Sequence, residues 1–245
     1  MMKPTVIGNC EIYLGNCMEL LETIAPGSVD LCWSDPPYGV RYLANSRKVL
    51  EIPEMLANDE KPHTEYVAPI VRCVKDGGAV YLCTRFDVAQ PWVEALKDAG
   101  AKVKNPIFWI KDLGSQGDLA GDRSSAVEIV LFCAVGRHLL RGKRTNNAWM
   151  IPRPDVLLHP TPKPIELIRR CILASSDPGD LVLDPFVGSG STAVACAQTG
   201  RRCICCEISP VYFDLACERI EKACRDVGNR LPGFDPVALE QQQLF

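Results

Sequence analysis

The feature that most constrains the fold of this chain is the alternation of short apolar runs with longer amphipathic stretches. The short runs are rich in Val, Ile, Leu and Cys, and the longer stretches carry apolar residues at helical spacing. This alternation is typical of an α/β domain in which helices cover both faces of a mostly parallel sheet. Strands are predicted at 11–15, 29–34, 79–84, 105–111, 126–134, 180–186 and 202–208. Helices are predicted at 17–25, 63–75, 89–100, 164–176, 190–200 and 210–228.

Length and composition fit one folding unit. The chain has 245 residues and 47% hydrophobic content, which is enough for one sizeable core. We expect a single domain over 1–230 and a short C-terminal tail over 231–245. Three segments with little periodicity, 39–62, 112–124 and 137–158, are expected to be functional insertions, because long irregular segments in compact domains more often carry function than not.

The apolar runs also bear on location and on cysteine chemistry. No uninterrupted stretch approaches the roughly 18 apolar residues that a membrane span needs, and we expect a cytoplasmic protein. The 13 cysteines lie mainly among Val, Ile and Leu, where Cys behaves as a small buried hydrophobe. Cys203 and Cys206 form a C-x-x-C, but the sequence has no second pair at zinc-site spacing, so no metal site is expected.

Charge gives one candidate surface for a polyanion. The formal net charge of −3 argues against coating such a partner with the whole surface. Positive charge is nevertheless concentrated in RHLLRGKRTNNAW, which contains no acidic residue. This cluster is either a solvated surface loop or a local nucleic-acid contact. Its members are Arg137, Arg141, Lys143 and Arg144.

A glycine-containing turn between two predicted strands is the first candidate site. In DLVLDPFVGSGSTAVACAQTGRRCICCEIS, an apolar strand ends at Asp184, a turn with Gly188 and Gly190 follows, and the next strand ends at Glu207. The glycines allow close approach of a ligand to the backbone, and the helix that follows presents free N–H groups. An acidic residue at the second strand tip can bind both hydroxyls of a ribose. The segment therefore predicts an adenosine-containing cofactor, with NAD and S-adenosylmethionine both open, or a purely structural turn.

A second apolar strand ends in the motif Asp35-Pro36-Pro37-Tyr38. The two prolines remove two backbone donors, which leaves carbonyl groups free to act as acceptors. A carboxylate together with a carbonyl offers two acceptors to one amino group, and such a grip would localise the nitrogen lone pair in the transition state. Tyr38 could stack on an aromatic ring. The alternative is a plain strand-to-loop turn, for which Asp-Pro-Pro is also suitable.

Together, DPPYG at 35–39, HPTPKP at 159–164 and DPFVGSGST at 184–192 resemble the motifs of the amino-methyltransferases of bacterial and phage DNA. The resemblance extends over most of the chain. The catalytic motif precedes the cofactor motif, which is similar to the permuted class called β. The resemblance implies a Rossmann-like fold with a mostly parallel seven-stranded sheet, S-adenosylmethionine as cofactor and double-stranded DNA as substrate.

The resemblance also implies residue roles. Asp35 and the Pro36 carbonyl would bind the target amine, with Pro37 completing the motif and Tyr38 stacking on the base. Lys163 would pair with the carboxylate at the methionine end of the cofactor. Asn16, after the first predicted strand, would meet the adenine edge, with Asn9 as a competing candidate. The other expected cofactor residues are Asp35, Pro160, Thr161, Asp184, Phe186, Gly188, Gly190, Thr192 and Glu207.

An amine inside a duplex cannot reach a pocket at a sheet edge, so such an enzyme has to flip its target base out of the stack. The segments at 39–62 and 137–149 would then be the groove and phosphate contacts. Family members that methylate cytosine N4 often carry Ser where Asp35 stands, so Asp favours adenine N6. Cytosine C5 chemistry needs a thiolate, usually presented after proline, and no cysteine here follows a proline.

Two other classes of protein remain as alternatives. A nicotinamide-dependent oxidoreductase would use the same glycine turn and Glu207, but it leaves DPPY and HPTPKP without a role. A catalytically silent DNA-binding module is disfavoured by the intact Asp35 motif. The chain could form a homodimer, as related enzymes often do. The tail residues Gln241, Leu244 and Phe245 either fray or resemble the short peptides that dock on bacterial sliding clamps.

Overall fold

A computed structural model describes residues 2–38, 62–112, 114, 121, 123–154 and 162–228. Within these ranges the chain forms the strands β1 (Thr5–Ile7), β2 (Cys10–Leu14), β3 (Val29–Ser34), β4 (Val74–Thr84), β5 (Lys102–Val103), β6 (Ile107–Ile110), β7 (Val127–Ala134), β8 (Ala148–Met150), β9 (Leu181–Asp184) and β10 (Arg202–Glu207). The helices are α1 (Cys17–Thr23), α2 (Val67–Cys73), α3 (Ala89–Asp98), α4 (Ile165–Ser175), α5 (Ser191–Thr199) and α6 (Pro210–Gly228).

The described strands form one ten-stranded sheet in the order β1-β2-β10-β9-β3-β4-β7-β6-β8, with β5 paired to β7. Its centre, β2-β10-β9-β3-β4, is parallel. On one flank β1 runs antiparallel to β2, and on the other β7 runs antiparallel to β4, β5 and β6. The parallel centre consists of strands that are buried on both faces, which explains their nearly continuous apolar sequences.

Three helices cover each face of the sheet. On one face the core includes Leu167, Ala193 and Ile220 of α4, α5 and α6. On the other it includes Leu21, Ile70 and Trp92 of α1, α2 and α3. Alternate residues of each central strand serve the two cores, because successive side chains of a strand point to opposite faces.

The predicted α/β class is confirmed, and each of the seven predicted strands is present. Three further strands of two or three residues, β1, β5 and β8, extend the predicted sheet from seven strands to ten. The helix predicted at 63–75 is shorter than expected, because Val74 already begins β4. In the ranges that the structure describes, no helix is both long enough and apolar enough to cross a membrane.

Candidate active site

The two sequence motifs meet at the middle of the sheet. Strand β9 pairs in parallel with β3, with Cys32 opposite Leu183, so the two strands end at the same edge. From β9 the chain continues to β10 on one side, whereas β3 leads to β4 on the other. Such a reversal of strand order opens a crevice at the carboxyl ends of the strands. The Asp35 motif and the glycine turn therefore flank one crevice, about 4.8 Å apart at the strand level.

The carboxylate of Asp184 organises the turn that follows β9. Its Oδ1 accepts the backbone N–H of Phe186 at 2.9 Å, and the hydroxyl of Thr192 donates to the same carboxylate. Asp184 and Thr192 are both buried. Burial raises the pKa of Asp184 to about 7, against the two hydrogen bonds that favour its charged form. Asp184 and Thr192 thus hold the shape of the turn.

Glu207, at the tip of β10, closes the turn from the other side. Its Oε2 accepts the N–H of Gly188 at 2.9 Å, and its Oε1 accepts the N–H of Ser209 at 2.8 Å. Burial raises the pKa of Glu207, and these backbone donors partly oppose the shift. A carboxylate has about four lone-pair positions, so both oxygens can still accept hydroxyl donors from a ligand. An acceptor of this kind at the strand tip fits the ribose of an adenosine-containing cofactor.

Gly190 has a packing reason to be glycine. Its φ is 88°, and a Cβ at this position would lie 3.1 Å from the Cα of Ala216 on α6. The close approach brings α6 against the start of α5. Gly188, with φ of 52°, instead uses its N–H to bind Glu207. The two glycines therefore serve different purposes in one turn.

The structure distinguishes between the two asparagines proposed for the adenine edge. Leu14 pairs with Glu207, and Gly15 donates its N–H to the Glu207 carbonyl at 2.9 Å, so Asn16 follows directly at the carboxyl edge. Asn9 precedes β2 and lies at the opposite edge, where its carbonyl accepts the N–H of Cys203. The Oδ1 of Asn16 caps α1 by accepting the N–H of Met18 at 2.9 Å. Its amide NH₂ and the second lone pair of Oδ1 are left for a ligand.

An aromatic pair that the sequence did not indicate lies beside the turn. Phe186 makes an edge-to-face contact with Tyr66, with ring centroids 4.9 Å apart and planes at 74°. Tyr66 is buried on the short 3₁₀ turn that precedes α2. Such a pair gives the pocket a rigid apolar wall. The only sequence signal for Tyr66 was its place at the start of a predicted helix.

In the catalytic motif, both oxygens of Asp35 have partners. Oδ1 accepts the hydroxyl of Tyr38 at 2.7 Å, and Oδ2 accepts the ammonium of Lys163 at 2.7 Å. The Lys163 Nζ also lies 5.3 Å from the centre of the Tyr38 ring. Pro36 is buried and Pro37 is half-buried. The hydroxyl of Tyr38 is thus held by Asp35, and stacking of its ring on a base stays a prediction.

Lys163, predicted to pair with a cofactor carboxylate, is held by two carboxylates of the chain itself. Its side chain is 7% exposed, and it pairs with Asp35 and, at 3.3 Å, with Glu128 of β7. Burial alone would lower the pKa of Lys163, but these two carboxylates raise it above its ordinary value. The reason for the arrangement is that a buried ammonium has to be compensated by nearby carboxylates.

The sequence motifs do not indicate a second ion pair, between Lys111 and Glu128, that adjoins Lys163. The Lys111 ammonium binds Glu128 Oε1 at 2.5 Å. Lys111 follows β6, and Glu128 lies on the neighbouring antiparallel strand, opposite Trp109. Burial opposes the charged form of Glu128, but Lys163 and Lys111 outweigh it and lower the pKa. The available signal was a single acidic residue within the apolar strand AVEIVLFCA.

The basic cluster, predicted to contact DNA because its segment flanks the catalytic motif in sequence, lies at the opposite edge of the sheet. Strand β7 pairs with β4 from Ile129, opposite Thr84 at the carboxyl edge, to Ala134, opposite Ala79. That is about 17 Å at 3.3 Å per residue. The cluster of Arg137, Arg141, Lys143 and Arg144 follows the far end of this strand.

Contacts within the cluster agree with this placement. Arg141 pairs with Asp177 at 2.9 Å, and its N–H donates to the carbonyl of Ala174. Both partners precede β9 and lie at the amino ends of the parallel strands. Proximity in sequence does not bring the cluster to the motif, because β7 is antiparallel to β4, which the sequence pattern does not reveal. By contrast, the predicted insertions at 39–62 and 112–124 start directly after Tyr38 and at Asp112, and these two residues follow β3 and β6 at the carboxyl edge.

Some expected residues lie outside the described ranges. These are Pro160, Thr161, most of the insertions at 39–62 and 112–124, the end of the insertion at 137–158, and the tail with Gln241, Leu244 and Phe245. Among the described residues no group of three His, Cys, Asp or Glu side chains could hold a metal ion. Cys203 and Cys206 belong to the cores on opposite faces of β10, so their thiols do not converge.

Comparison with known proteins identifies close counterparts of this architecture. A DNA methylase family model matches residues 137–218. The DNA adenine methyltransferase YhdJ of Escherichia coli strain K12 is 29% identical in sequence, and the alignment covers 90% of this chain and 86% of the relative.

Two solved structures share the fold. The M1.HpyAVI–SAM complex has a TM-score of 0.66 at 24% identity, covering 86% of this chain and 99% of that one. PvuII DNA methyltransferase, described as cytosine-N4-specific, has a TM-score of 0.73 at 18% identity, covering 94% and 95% of the two chains. At these identities the structural likeness concerns the fold alone.

Proposed function

We propose that the chain is an S-adenosylmethionine-dependent amino-DNA methyltransferase, like the relatives it matches, and that it methylates adenine N6 at a site formed by the tips of β3 and β9. Residues 1–230 are proposed to be its catalytic domain. The observation that carries the site assignment is the parallel pairing of β3 with β9, which brings Asp35 and the glycine turn to one crevice.

The proposed chemistry of the catalytic motif is a grip on the acceptor amine. Asp35 and the Pro36 carbonyl each accept one N–H of the amine, which localises the nitrogen lone pair for attack. When bound, S-adenosylmethionine supplies the methyl group on a sulfonium centre. The Asp35 carboxylate stabilises the positive charge that develops on the nitrogen. Because its side chain is 20% exposed, water can then remove the proton.

The proposed cofactor pocket uses residues whose geometry fits each role. Glu207 accepts the ribose hydroxyls with its remaining lone pairs, and the Asn16 amide NH₂ donates to the adenine edge. Phe186 contributes the apolar wall, while Asp184, Thr192 and Gly188 maintain the turn. Gly190 contributes by allowing α6 to pack against α5.

The choice of adenine over cytosine depends on the acid in the motif. Asp35 stands where cytosine-N4 enzymes often carry Ser, and one relative is named an adenine methyltransferase. Cytosine N4 is the alternative, since both acceptors are exocyclic amines. Flipping of the target base is proposed in either case, because Asp35 lies at a sheet edge and cannot reach an amine inside a duplex.

The test is the identity of the methylated nucleoside. The purified protein is incubated with unmethylated plasmid DNA and S-adenosylmethionine labelled in the methyl group, and the DNA is digested to nucleosides and separated by chromatography. We expect label in N6-methyl-2′-deoxyadenosine; label in N4-methyl-2′-deoxycytidine would instead identify cytosine as the acceptor. The control is Asp35→Ala, which should bind the cofactor but transfer no methyl group; normal turnover in this variant would remove the assigned role of Asp35.

The two alternative functions fit the site less well than methyl transfer. A nicotinamide-dependent oxidoreductase would leave the Asp35, Tyr38 and Lys163 contacts without a purpose. A catalytically silent DNA-binding module would not need a carboxylate held beside the glycine turn. Both alternatives predict that no label enters DNA in the experiment above.

Partners other than DNA remain proposals. We propose that the tail, through Gln241, Leu244 and Phe245, docks on a bacterial sliding clamp, and that the enzyme acts in the cytoplasm, as a homodimer where recognition is shared. Deletion of 241–245 should then abolish clamp binding in a pull-down, and unchanged binding would exclude the docking peptide. Sedimentation of the purified protein at micromolar concentration tests the dimer.

A further inference from the structure

Four charged side chains of alternating sign form a chain that leads from β6 to the catalytic motif. Lys111 pairs with Glu128, and Lys163 lies between Glu128 and Asp35. The side chains of Lys111, Glu128 and Lys163 are 14%, 18% and 7% exposed. Charged groups that are this well buried are screened by salt much less than surface pairs, so the electrostatic interaction between them is strong.

The contacts of Lys163 with its two carboxylates are unequal. Its Nζ lies 2.7 Å from Asp35 Oδ2 but 3.3 Å from Glu128 Oε2. Glu128 Oε2 is buried and accepts no hydrogen bond of good geometry from the part of the chain that the structure describes. A buried acceptor in that state is unfavourable and calls for an explanation. A shift of Lys163 by a few tenths of an ångström would satisfy it, since charge-assisted N–H···O bonds are about 2.7–2.9 Å long.

In the present arrangement the target amine cannot bind Asp35 without competition. Tyr38 occupies Oδ1 and Lys163 occupies Oδ2. An ammonium with Asp35 as its only counter-ion would resist displacement, because it would be left buried and unpaired. Glu128 provides the second counter-ion that makes displacement feasible.

We propose that Glu128 is a positioning residue that receives Lys163 when the target amine takes its place on Asp35. The proposal rests on the proposed function, in which Asp35 grips the amine. In the free protein Lys163 holds the Asp35 carboxylate in place. On binding, an amine N–H replaces the ammonium at Oδ2, and Lys163 completes a hydrogen bond to Glu128 Oε2.

Glu128 also adds negative charge close to the reacting nitrogen. Asp35 and Lys163 together are neutral, and a neutral pair gives little stabilisation to a nitrogen that becomes cationic. Glu128 gives the three charges nearest the amine a net charge of −1; Lys111, which makes the group of four neutral, lies on the far side of Glu128 and binds its other oxygen. The removal of the Glu128 charge should therefore slow methyl transfer rather than weaken cofactor binding.

The test is a double-mutant cycle with Glu128→Gln and Lys163→Met. Methyl transfer to plasmid DNA is measured as a first-order rate constant with enzyme in excess, and S-adenosylmethionine affinity is measured separately by calorimetry. Glu128→Gln should lower the rate constant about tenfold or more in the native background, which corresponds to about 1.4 kcal/mol. In the Lys163→Met background the same change should cost less than about twofold, because Glu128 acts through Lys163. Cofactor affinity should change less than about threefold throughout, because the chain's cofactor contacts lie elsewhere.

Three results would overturn the proposal: an unchanged rate in Glu128→Gln, an equal loss in both backgrounds, or no measurable transfer in Lys163→Met, since Lys163 has to leave Asp35 in any case. Glu221→Gln, which breaks an exposed pair with Arg225, is the matched control for loss of a glutamate charge. Thermal unfolding checks that each variant is folded, and Glu128→Asp replaces Glu128→Gln if the latter is not. A native protein that transfers no label to DNA would instead refute the proposed function, before any variant is compared.

Discussion

Asp184 shows how a single buried carboxyl can link the cofactor turn to pH. Its folded-state pKa of about 7 lies above the ordinary value of 3.8. Between these values the folded protein binds more protons than the unfolded chain, so the contribution of Asp184 to stability falls as pH rises from about 4 to 7. Below pH 4 both states are protonated and the penalty is absent.

We therefore predict that Asp184→Asn changes the pH dependence of stability. The amide has no charge to bury, while its oxygen can still accept the Phe186 N–H. The free energy of unfolding of the variant, relative to the native protein, should increase by up to roughly 4 kcal/mol between pH 4 and pH 7. Urea denaturation at several pH values measures this difference. A difference that does not vary with pH would contradict the pKa of Asp184.

The proposed site residues that could be predicted from the sequence are those at the ends of strands within recognisable motifs. Asp35, Asp184 and Glu207 each follow a short apolar run, and the carboxyl ends of parallel strands share one edge. Lys111 and Glu128 could not be paired in this way. Their contact arises from the antiparallel register of β6 and β7, which periodicity does not specify.

At the level of elements, the packing of α6 against α5 depends on Gly190. Gly190 and Gly179 have almost the same φ, 88° and 87°, but a Cβ would meet Ala216 at Gly190 and nothing within 4 Å at Gly179. Substitution by Ala imposes the same backbone strain at both positions, about 1–2 kcal/mol. The two glycines therefore form a matched pair in which only the helix contact differs.

We predict that Gly190→Ala destabilises the protein by about 1–3 kcal/mol more than Gly179→Ala, because the added methyl group overpacks the α5–α6 contact. Chemical denaturation of both variants at one pH gives the comparison. Equal losses would mean that α6 can move away at little cost and that Gly190 is needed for its backbone conformation alone.

The elements themselves were largely predictable, and the exceptions have physical causes. The seven predicted strands have four or more residues and clear apolar character, whereas β1, β5 and β8 have only two or three residues each. Such short strands form because a neighbouring strand offers a free edge for pairing, and they are too short to show an alternating pattern of apolar residues. The shortened α2 has a similar cause: Val74 pairs with Val29, and this pairing overrides the helical pattern of HTEYVAPIVRCVK.

Over the whole molecule, the sheet separates two charged surfaces. The catalytic motif, the glycine turn and Glu207 lie at the carboxyl edge of the parallel strands, and the basic cluster lies at the other. Within that cluster Arg137, Lys143 and Arg144 are exposed, whereas Arg141 pairs with Asp177. The prediction that the cluster contacts DNA rested on proximity along the chain, which the antiparallel β7 does not convert into proximity in space.

This separation predicts that the exposed cluster contributes little to DNA binding at the active site. The triple variant Arg137→Gln, Lys143→Gln, Arg144→Gln should keep its DNA affinity within about twofold and keep the salt dependence of binding. If all three cations contacted phosphates, the slope of log K against log salt would become shallower by about 2 to 3. Titrations of labelled DNA at several salt concentrations distinguish these outcomes, and a shallower slope would return the cluster to the DNA interface.

The central claim is that two strand tips, distant in sequence, form a single site for the cofactor and the target amine. The most direct measurement is a crystal structure with sinefungin, an analogue in which an amine replaces the transferable methyl group. The acceptor nitrogen lies one hydrogen bond from the Asp35 carboxylate, and the methyl group that it attacks lies about as far again beyond it. The amine of sinefungin, which takes the place of that methyl group, should therefore lie about 6 Å from the Asp35 carboxylate. We predict this separation, with Glu207 on the ribose; an analogue bound away from the β3–β9 crevice would contradict the account.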